Sequence, residues 1–236
     1  MRGIKSLVAA AVFALSTAAV ADTITVQWAG SIFSPPGAVN VGTVTHPLGS
    51  TGTDAGRFHG TVTATSPGFD PGGLVDSAAN FLAYCHDLAQ TIGGTTTYTV
   101  APGASAIMRD FLGAVNSFLP LGDDFDWLHP ANATTAAAIQ LGIWEALNND
   151  DFVLNSGNTT FSTVPAAVAS LFQNFVNEMA TADSLDNALV MRLIHADRQD
   201  VITGYLPPSF LVPEPGTLAL LGFAVAAAAL ARRRRR

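Results

Sequence analysis

The hydrophobic pattern changes period near Val100, and this switch limits the fold more than any other feature of the chain. Before it, apolar and polar residues alternate. Thr23-Ile24-Thr25-Val26-Gln27-Trp28 and Arg57-Phe58-His59-Gly60-Thr61-Val62-Thr63 are followed by Phe81-Leu82-Ala83-Tyr84-Cys85 and Thr95-Thr96-Thr97-Tyr98-Thr99-Val100. Threonine, valine and aromatic residues at period two read as strands, and Ser66-Pro67-Gly68 and Asp70-Pro71-Gly72-Gly73 punctuate them as turns. After it, apolar residues recur at helical spacing. Ser105 to Leu119 carries Ile107, Phe111, Leu112, Val115 and Leu119, behind a start signal at Pro102-Gly103. Thr134 to Leu147 carries Ile139, Ile143, Trp144 and Leu147, and Pro165 to Met179 carries Val168, Leu171, Phe172, Phe175 and Val176. Ala188 to Ile194 reads as a returning strand. The expectation is one α+β domain over residues 22–206, a β-sandwich or small barrel with a helical subdomain inserted after Val100.

Both ends carry apolar runs of a different kind. Arg2 and Lys5 form a basic start, Leu7 to Ala19 an apolar stretch, and Ala19-Val20-Ala21 a small-x-small cleavage site. That is the layout of a secretory signal peptide over residues 1–21, with Asp22 as the mature N-terminus. At the other end, Tyr205-Leu206-Pro207-Pro208 opens a linker over residues 207–212. Pro213-Glu214-Pro215-Gly216 follows, then an uncharged run from Leu218 to Ala231, then Arg232 to Arg236. As helix, the run reaches ~21 Å, short of the ~30 Å hydrocarbon core of a bilayer. The terminal arginines are held on the cytoplasmic side. A short span behind a Pro-rich hinge makes a poor permanent anchor and a good temporary one.

Pro213, Glu214 and Pro215, the apolar run and the basic end, residues 213–236 together, resemble the PEP-CTERM sorting signal of exopolysaccharide-forming Gram-negative bacteria. The resemblance implies cleavage near the motif by an exosortase, a membrane-embedded cysteine transpeptidase. It also implies transient anchoring in the inner membrane, then a place at the cell surface or in the extracellular matrix.

Between Asp22 and Glu214, both included, 18 acidic side chains face Arg57, Arg109, Arg192 and Arg198. A binder of nucleic acid needs the opposite balance, so no nucleic-acid partner is expected. Lys5 is the chain's one lysine. The ~190 residues between the signals are enough for a real core. His46, His59, His86, His129 and His195 are scattered, with no zinc-ligand spacing, so neither a metal nor a cofactor is expected. Gly122-Asp123-Asp124-Phe125-Asp126-Trp127 departs from the calcium-loop pattern and reads as a solvated turn.

Cys85 is the single cysteine of the chain. One thiol forms no internal disulfide, so in an exported protein it is buried and inert, paired with another chain, or used for other chemistry. Tyr84-Cys85-His86-Asp87 ends a strand. Ile139-Gln140-Leu141-Gly142-Ile143-Trp144 lies on a helix, its glutamine 55 residues after the cysteine. An aromatic-Cys-x-Asp strand end followed by apolar-Gln-x-x-apolar-Trp resembles the internal-thioester domains of bacterial surface adhesins. Two positions differ: Ile139 stands where a threonine is frequent, and Gly142 where alanine is common. The resemblance implies a bond between Cys85 and Gln140, formed with loss of ammonia and consumed by an amine- or hydroxyl-bearing surface or matrix partner.

Trp144 shares the helix face of Gln140 and is expected to cover the bond. On an extended strand Asp87 shares the face of Cys85, and His129 lies near the start of the glutamine helix. Either is a candidate proton acceptor. The expected function is therefore covalent attachment without turnover, not enzymatic catalysis. Two alternatives stand beside it. One is a structural matrix or biofilm protein in which Cys85 is merely buried. The other is a secreted cysteine hydrolase with Cys85 as nucleophile and His129 or His195 as base.

Overall fold

The computed structural model describes residues 21–33, 35–149 and 151–207. The signal peptide, except Ala21, and the Pro213-Glu214-Pro215 motif with its apolar run and arginines lie outside the described residues. Among the described residues no helix is long and apolar enough to cross a membrane.

Strands β1 (Thr23–Trp28), β4 (Phe58–Thr65), β5 (Phe81–Cys85) and β6 (Thr95–Pro102) form where the alternation predicts them. With β8 (Val190–Ile194) and β9 (Val201–Gly204) they close an antiparallel barrel in the order β1-β4-β5-β9-β8-β6. Of the two expected architectures the chain adopts the barrel, which leaves its six strands no free edge. In β1, Ile24, Val26 and Trp28 are buried while the residues between them are not, and this alternation fixes the register. Trp28 sits at the centre of an aromatic cluster with Phe58, Phe81 and Tyr98, ring centroids 5.9, 5.8 and 6.3 Å away. Its indole N–H donates to the Tyr98 hydroxyl at 3.1 Å, so the polar end of each ring is satisfied.

A second sheet, absent from the sequence-based expectation, joins β2 (Ala38–His46), β3 (Gly49–Gly56) and β7 (Thr160–Phe161) in the order β3-β2-β7. β2 and β3 form a hairpin about Pro47-Leu48. Gly42, at φ +75°, occupies the irregular stretch where the register slips between Asn40 and Thr43. A side chain there meets the Ser162 hydroxyl, so both space and backbone conformation call for glycine.

The helical insertion runs between β6 and β8. It comprises α1 (Ala106–Phe118), α2 (Ala133–Asn148) and α3 (Ala166–Glu178), each within a residue or two of expectation. α1 is capped by Ser105, whose hydroxyl accepts from the Met108 N–H at 3.3 Å, rather than opened by Pro102-Gly103. α2 is capped by Asn132, which accepts from the Thr135 N–H at 2.9 Å. Every residue from Thr135 to Ala146 is buried. Such a helix is the centre of the molecule, wrapped by α1, α3, the β2–β3 hairpin and β5. Its alanines let those neighbours come close. At Gly142 the approach is closest, and an added Cβ would lie inside the Phe111 ring of α1.

Tyr205 and Leu206, the last residues of the expected domain, are tied to it: Tyr205 bridges to Leu74, and Leu206 N–H donates to the Gly73 carbonyl at 2.7 Å. One expectation is corrected: the acidic turn is not wholly solvated. Asp126 is buried and accepts from the Gly122 N–H at 2.8 Å, while Asp123 and Asp124 stay exposed.

Candidate functional site

All five residues of β5 are buried, because one face of the strand turns to the barrel core and the other is covered by α2. A short, unbroken apolar run suits that position. It delivers Cys85 to the end of the strand, opposite the middle of α2. There the Gln140 side chain reaches across and pairs with the backbone of Cys85. The Cys85 N–H donates to Gln140 Oε1 at 2.9 Å, and Gln140 Nε2 donates to the Cys85 carbonyl at 2.8 Å. Both residues are 1% exposed. The helix thereby satisfies two backbone groups that a strand end would otherwise leave unpaired in a dry interior.

The thiol beside this amide is also held. Its S–H donates to the Asp87 carbonyl, and Trp144 Nε1 donates to Sγ at 3.2 Å, one helical turn beyond Gln140. The Trp144 ring stacks on Phe161 of β7 at 6.1 Å, which fixes the indole over the sulfur. Burial pushes the Cys85 thiol above its ordinary range. The Trp144 bond works against that, and the nearby charges of Asp87 and Asp200 add to it. The thiol is therefore protonated at neutral pH, with no histidine among its hydrogen-bond partners.

Asp87 has a different task from the one its spacing suggests. β5 ends at Cys85, so Asp87 turns away from the strand. Its Oδ1 accepts from the N–H groups of Ala89 and Gln90 at 3.2 and 3.3 Å, and its Oδ2 from that of Asp200 at 2.7 Å. The carboxylate shapes the loop after β5, and the backbone carbonyl meets the thiol. His129 lies beyond the Asn132 end of α2, roughly 12 Å of helix from Gln140. It pairs with Asp76 at 3.0 Å and with the Phe125 carbonyl at 3.1 Å. The structure thus brings Cys85, Gln140 and Trp144 together, holds Asp87 at the loop, and leaves His129 engaged elsewhere. His86, next in the chain, is neutral at pH 7. Burial pushes it down to about 4, with Arg192 contributing.

Sequence reasoning missed Gln199. Its Nε2 donates to Cys85 Sγ at 2.7 Å and to the Asp87 carbonyl at 3.1 Å. The sulfur side of the site opens into a cavity of about 490 Å³ between the β2–β3 hairpin and the loop Leu88–Ile92. Cys85, Trp144 and Gln199 form its floor. His46, Asp54 and Gln90 are among the polar residues of its walls. Among the described residues no group of three His, Cys, Asp or Glu side chains is arranged to hold a metal ion.

Deeper in α2, Glu145 is completely buried. Oε2 accepts from Asn149 Nδ2 at 2.9 Å, and Oε1 has no partner. Burial pushes this carboxyl up to about 7.

The chemistry this arrangement allows follows from the order of the groups. A thiol and a carboxamide are held together in a buried site. The carboxamide oxygen already accepts from a fixed N–H, and an open cavity reaches the sulfur. No curated protein matches the sequence of the chain. Residues 211–236 match the family model of the PEP-CTERM protein-sorting motif, a signal processed by an exosortase, so this chain carries the mark of an exported, exosortase-targeted protein.

Proposed function

We propose that the protein is a surface or matrix component that attaches itself to a partner through a thioester between Cys85 and Gln140, used once and without turnover. The observation that carries the reading is the double hydrogen bond of the Gln140 amide to the Cys85 backbone, at 2.9 and 2.8 Å, beside a buried thiol. In the first step Sγ attacks Cδ of Gln140. The developing oxyanion is met by the Cys85 N–H that already holds Oε1. The C–N bond breaks, and the nitrogen leaves as ammonia with the thiol proton. In the second step an amine or hydroxyl of the partner attacks the same carbon. The C–S bond breaks, Gln140 stays joined to the partner, and Cys85 regains a thiol. A dry site under Trp144 protects the bond from water until then.

Before that reaction, Leu218 to Ala231 would hold the chain briefly in the inner membrane while the exosortase cuts near Pro213-Glu214-Pro215. The product then reaches the cell surface or the extracellular matrix.

One observation favours the plainer reading, a structural matrix protein with no reactive bond. In the unreacted pair both ends of the Gln140 amide and the thiol proton are satisfied, so Gln140 also serves as a bridge between barrel and helix. A cysteine hydrolase finds less support, because its nucleophile would be a protonated thiol without a histidine partner.

Intact mass of the freshly purified protein separates the readings. The thioester form is lighter by one ammonia, shows no free thiol, and on treatment with methylamine gains it at Gln140 and exposes one thiol. Full mass together with a titratable thiol in native protein rejects the bond. Catalytic turnover of a substrate would point to the hydrolase.

A further inference from the structure

A second glutamine reaches the sulfur from just before the neighbouring strand, β9. β9 pairs with β5 in the register Cys85 with Val201, so Gln199, two residues earlier, overhangs the end of β5. Its own N–H donates to the Thr91 carbonyl at 3.3 Å, which ties it to the loop that walls the cavity. Its side-chain nitrogen faces Sγ at 2.7 Å, while Trp144 Nε1 approaches the same atom from α2 at 3.2 Å. A buried thiol does not need this arrangement. Its one proton already has the Asp87 carbonyl, and sulfur is a weak acceptor for which two N–H donors are a poor use. Converging donors gain most where negative charge arrives.

We infer that Gln199 and Trp144 form a cradle for the departing sulfur, so that Gln199 promotes opening of the Cys85–Gln140 thioester. This assignment rests on the thioester reading. As an amine attacks Cδ of Gln140, the C–S bond breaks and its electron pair moves to Sγ. There the two N–H groups hold it. The ammonium nitrogen of the new tetrahedral carbon passes its proton to that thiolate, leaving an amide and a neutral thiol. At this buried sulfur an unassisted thiolate is a poor leaving group, and the two donors offset the cost of burying its charge. Gln199 is assigned the donor role because the same nitrogen that faces Sγ at 2.7 Å also donates to the Asp87 carbonyl at 3.1 Å. Cys85, Trp144 and Gln199 line one cavity, so the cradle lies where the nucleophile enters.

The test uses Gln199→Met, which keeps length and loses the donor, and Trp144→Phe, which keeps a ring and loses the indole N–H. Fresh wild type and both variants should be lighter by one ammonia. Opening by methylamine should then slow by about tenfold to a hundredfold in each variant, the range expected for one hydrogen bond to a charged group. The thiol released by methylamine, titrated through its rate of alkylation against pH, should ionise at higher pH in the variants than in wild type. A change of packing alone would not produce that shift. Wild type at full mass defeats the thioester reading itself. Bonds that form in all three proteins and open at equal rates overturn the cradle and leave the thioester standing. Loss of the bond in Gln199→Met but not in Gln140→Ala also overturns it, by making Gln199 the acyl partner.

Discussion

The side-chain amide of Gln140 takes the place of a neighbouring strand for Cys85, accepting from its N–H at 2.9 Å and donating to its carbonyl at 2.8 Å. One side chain thereby fixes the end of β5 to the middle of α2. It also sets a carboxamide beside the one thiol of the chain. The structural role and the chemical role proposed above rest on the same two hydrogen bonds, and substitutions can separate them.

Gln140→Ala should destabilise by about 2–5 kcal/mol, since it leaves two buried backbone groups unpaired and opens a cavity beside them. Cys85→Ala keeps both backbone bonds and removes only the small side chain. It should cost less than Gln140→Ala while abolishing methylamine uptake completely. Chemical denaturation of both variants, with intact mass on the same samples, checks the order. Equal costs would mean that the amide bridge contributes little.

Much of this was readable in advance, for reasons that the residues make clear. β1, β4, β5 and β6 carry strict alternation or an unbroken apolar run, and α1 to α3 carry full helical stripes, so burial and periodicity agree. β2 is half-buried or exposed at most positions and β3 mostly exposed, and Asn40, Gly42, Gly49, Gly52 and Asp54 interrupt any regular alternation that would mark them as strands. β9 has four residues, all buried, so no exposed position marks a period. Cys85, Gln140 and Trp144 were legible because motif and helix spacing are local. Gln199 was not, since only the β5–β9 register brings it to the sulfur. Asp87 was expected on the face of Cys85, but the strand ends too early for that.

At Gly142 the Phe111 ring of α1 fills the space of a Cβ. Gly142→Ala should destabilise by about 1–3 kcal/mol despite the better helix propensity of alanine. Adding Phe111→Leu should recover part of that loss, so the cost of the double change is smaller than the sum of the two. Strict additivity in thermal or denaturant unfolding would rule out the contact.

Glu145 makes stability depend on pH in a defined direction. Its carboxyl is raised from 4.5 to about 7, so between these values the folded state holds a proton that the unfolded state has released. The contribution of this group is greatest below about pH 4.5 and is lost as pH rises toward 7, by up to about 3 kcal/mol. Glu145→Gln keeps an acceptor for Asn149 and carries no charge, so it should be more stable than wild type at pH 8 and equal to it near pH 4. The difference between the two proteins isolates this group from His86, which acts in the opposite direction in acid. A difference that stays constant from pH 4 to pH 8 would contradict the assignment.

The sorting motif predicts processing at both ends, near Ala21 and near Pro215. In a strain lacking the exosortase, the chain should accumulate in the inner membrane with its arginines attached, visible by mass of the membrane fraction. Recovery of extracellular protein that still ends in Arg232 to Arg236 would exclude cleavage at the motif.

The absence of lysine after Lys5 bears on the proposed bond. An amine on the chain itself, near an activated acyl group, would compete with any foreign target. The new N-terminal amine, with a pKa of about 7.7–8.0, is the only one left once the signal peptide is removed. Arginine stays protonated and does not compete. A second explanation is compositional, since an acidic exported chain uses few lysines regardless of any reactive site. Thr91 is exposed and lines the cavity that reaches Cys85, whereas Gln173 is exposed on α3 and takes no part in that cavity. If lysine is excluded to protect the bond, Thr91→Lys should consume it internally. The protein would then remain lighter by one ammonia, expose a free thiol, refuse methylamine, and show by peptide mapping a crosslink from the introduced amine to Gln140. Gln173→Lys should behave like wild type. A Thr91→Lys protein that keeps its masked thiol and still takes up methylamine at the wild-type rate would leave composition as the reason for the missing lysines.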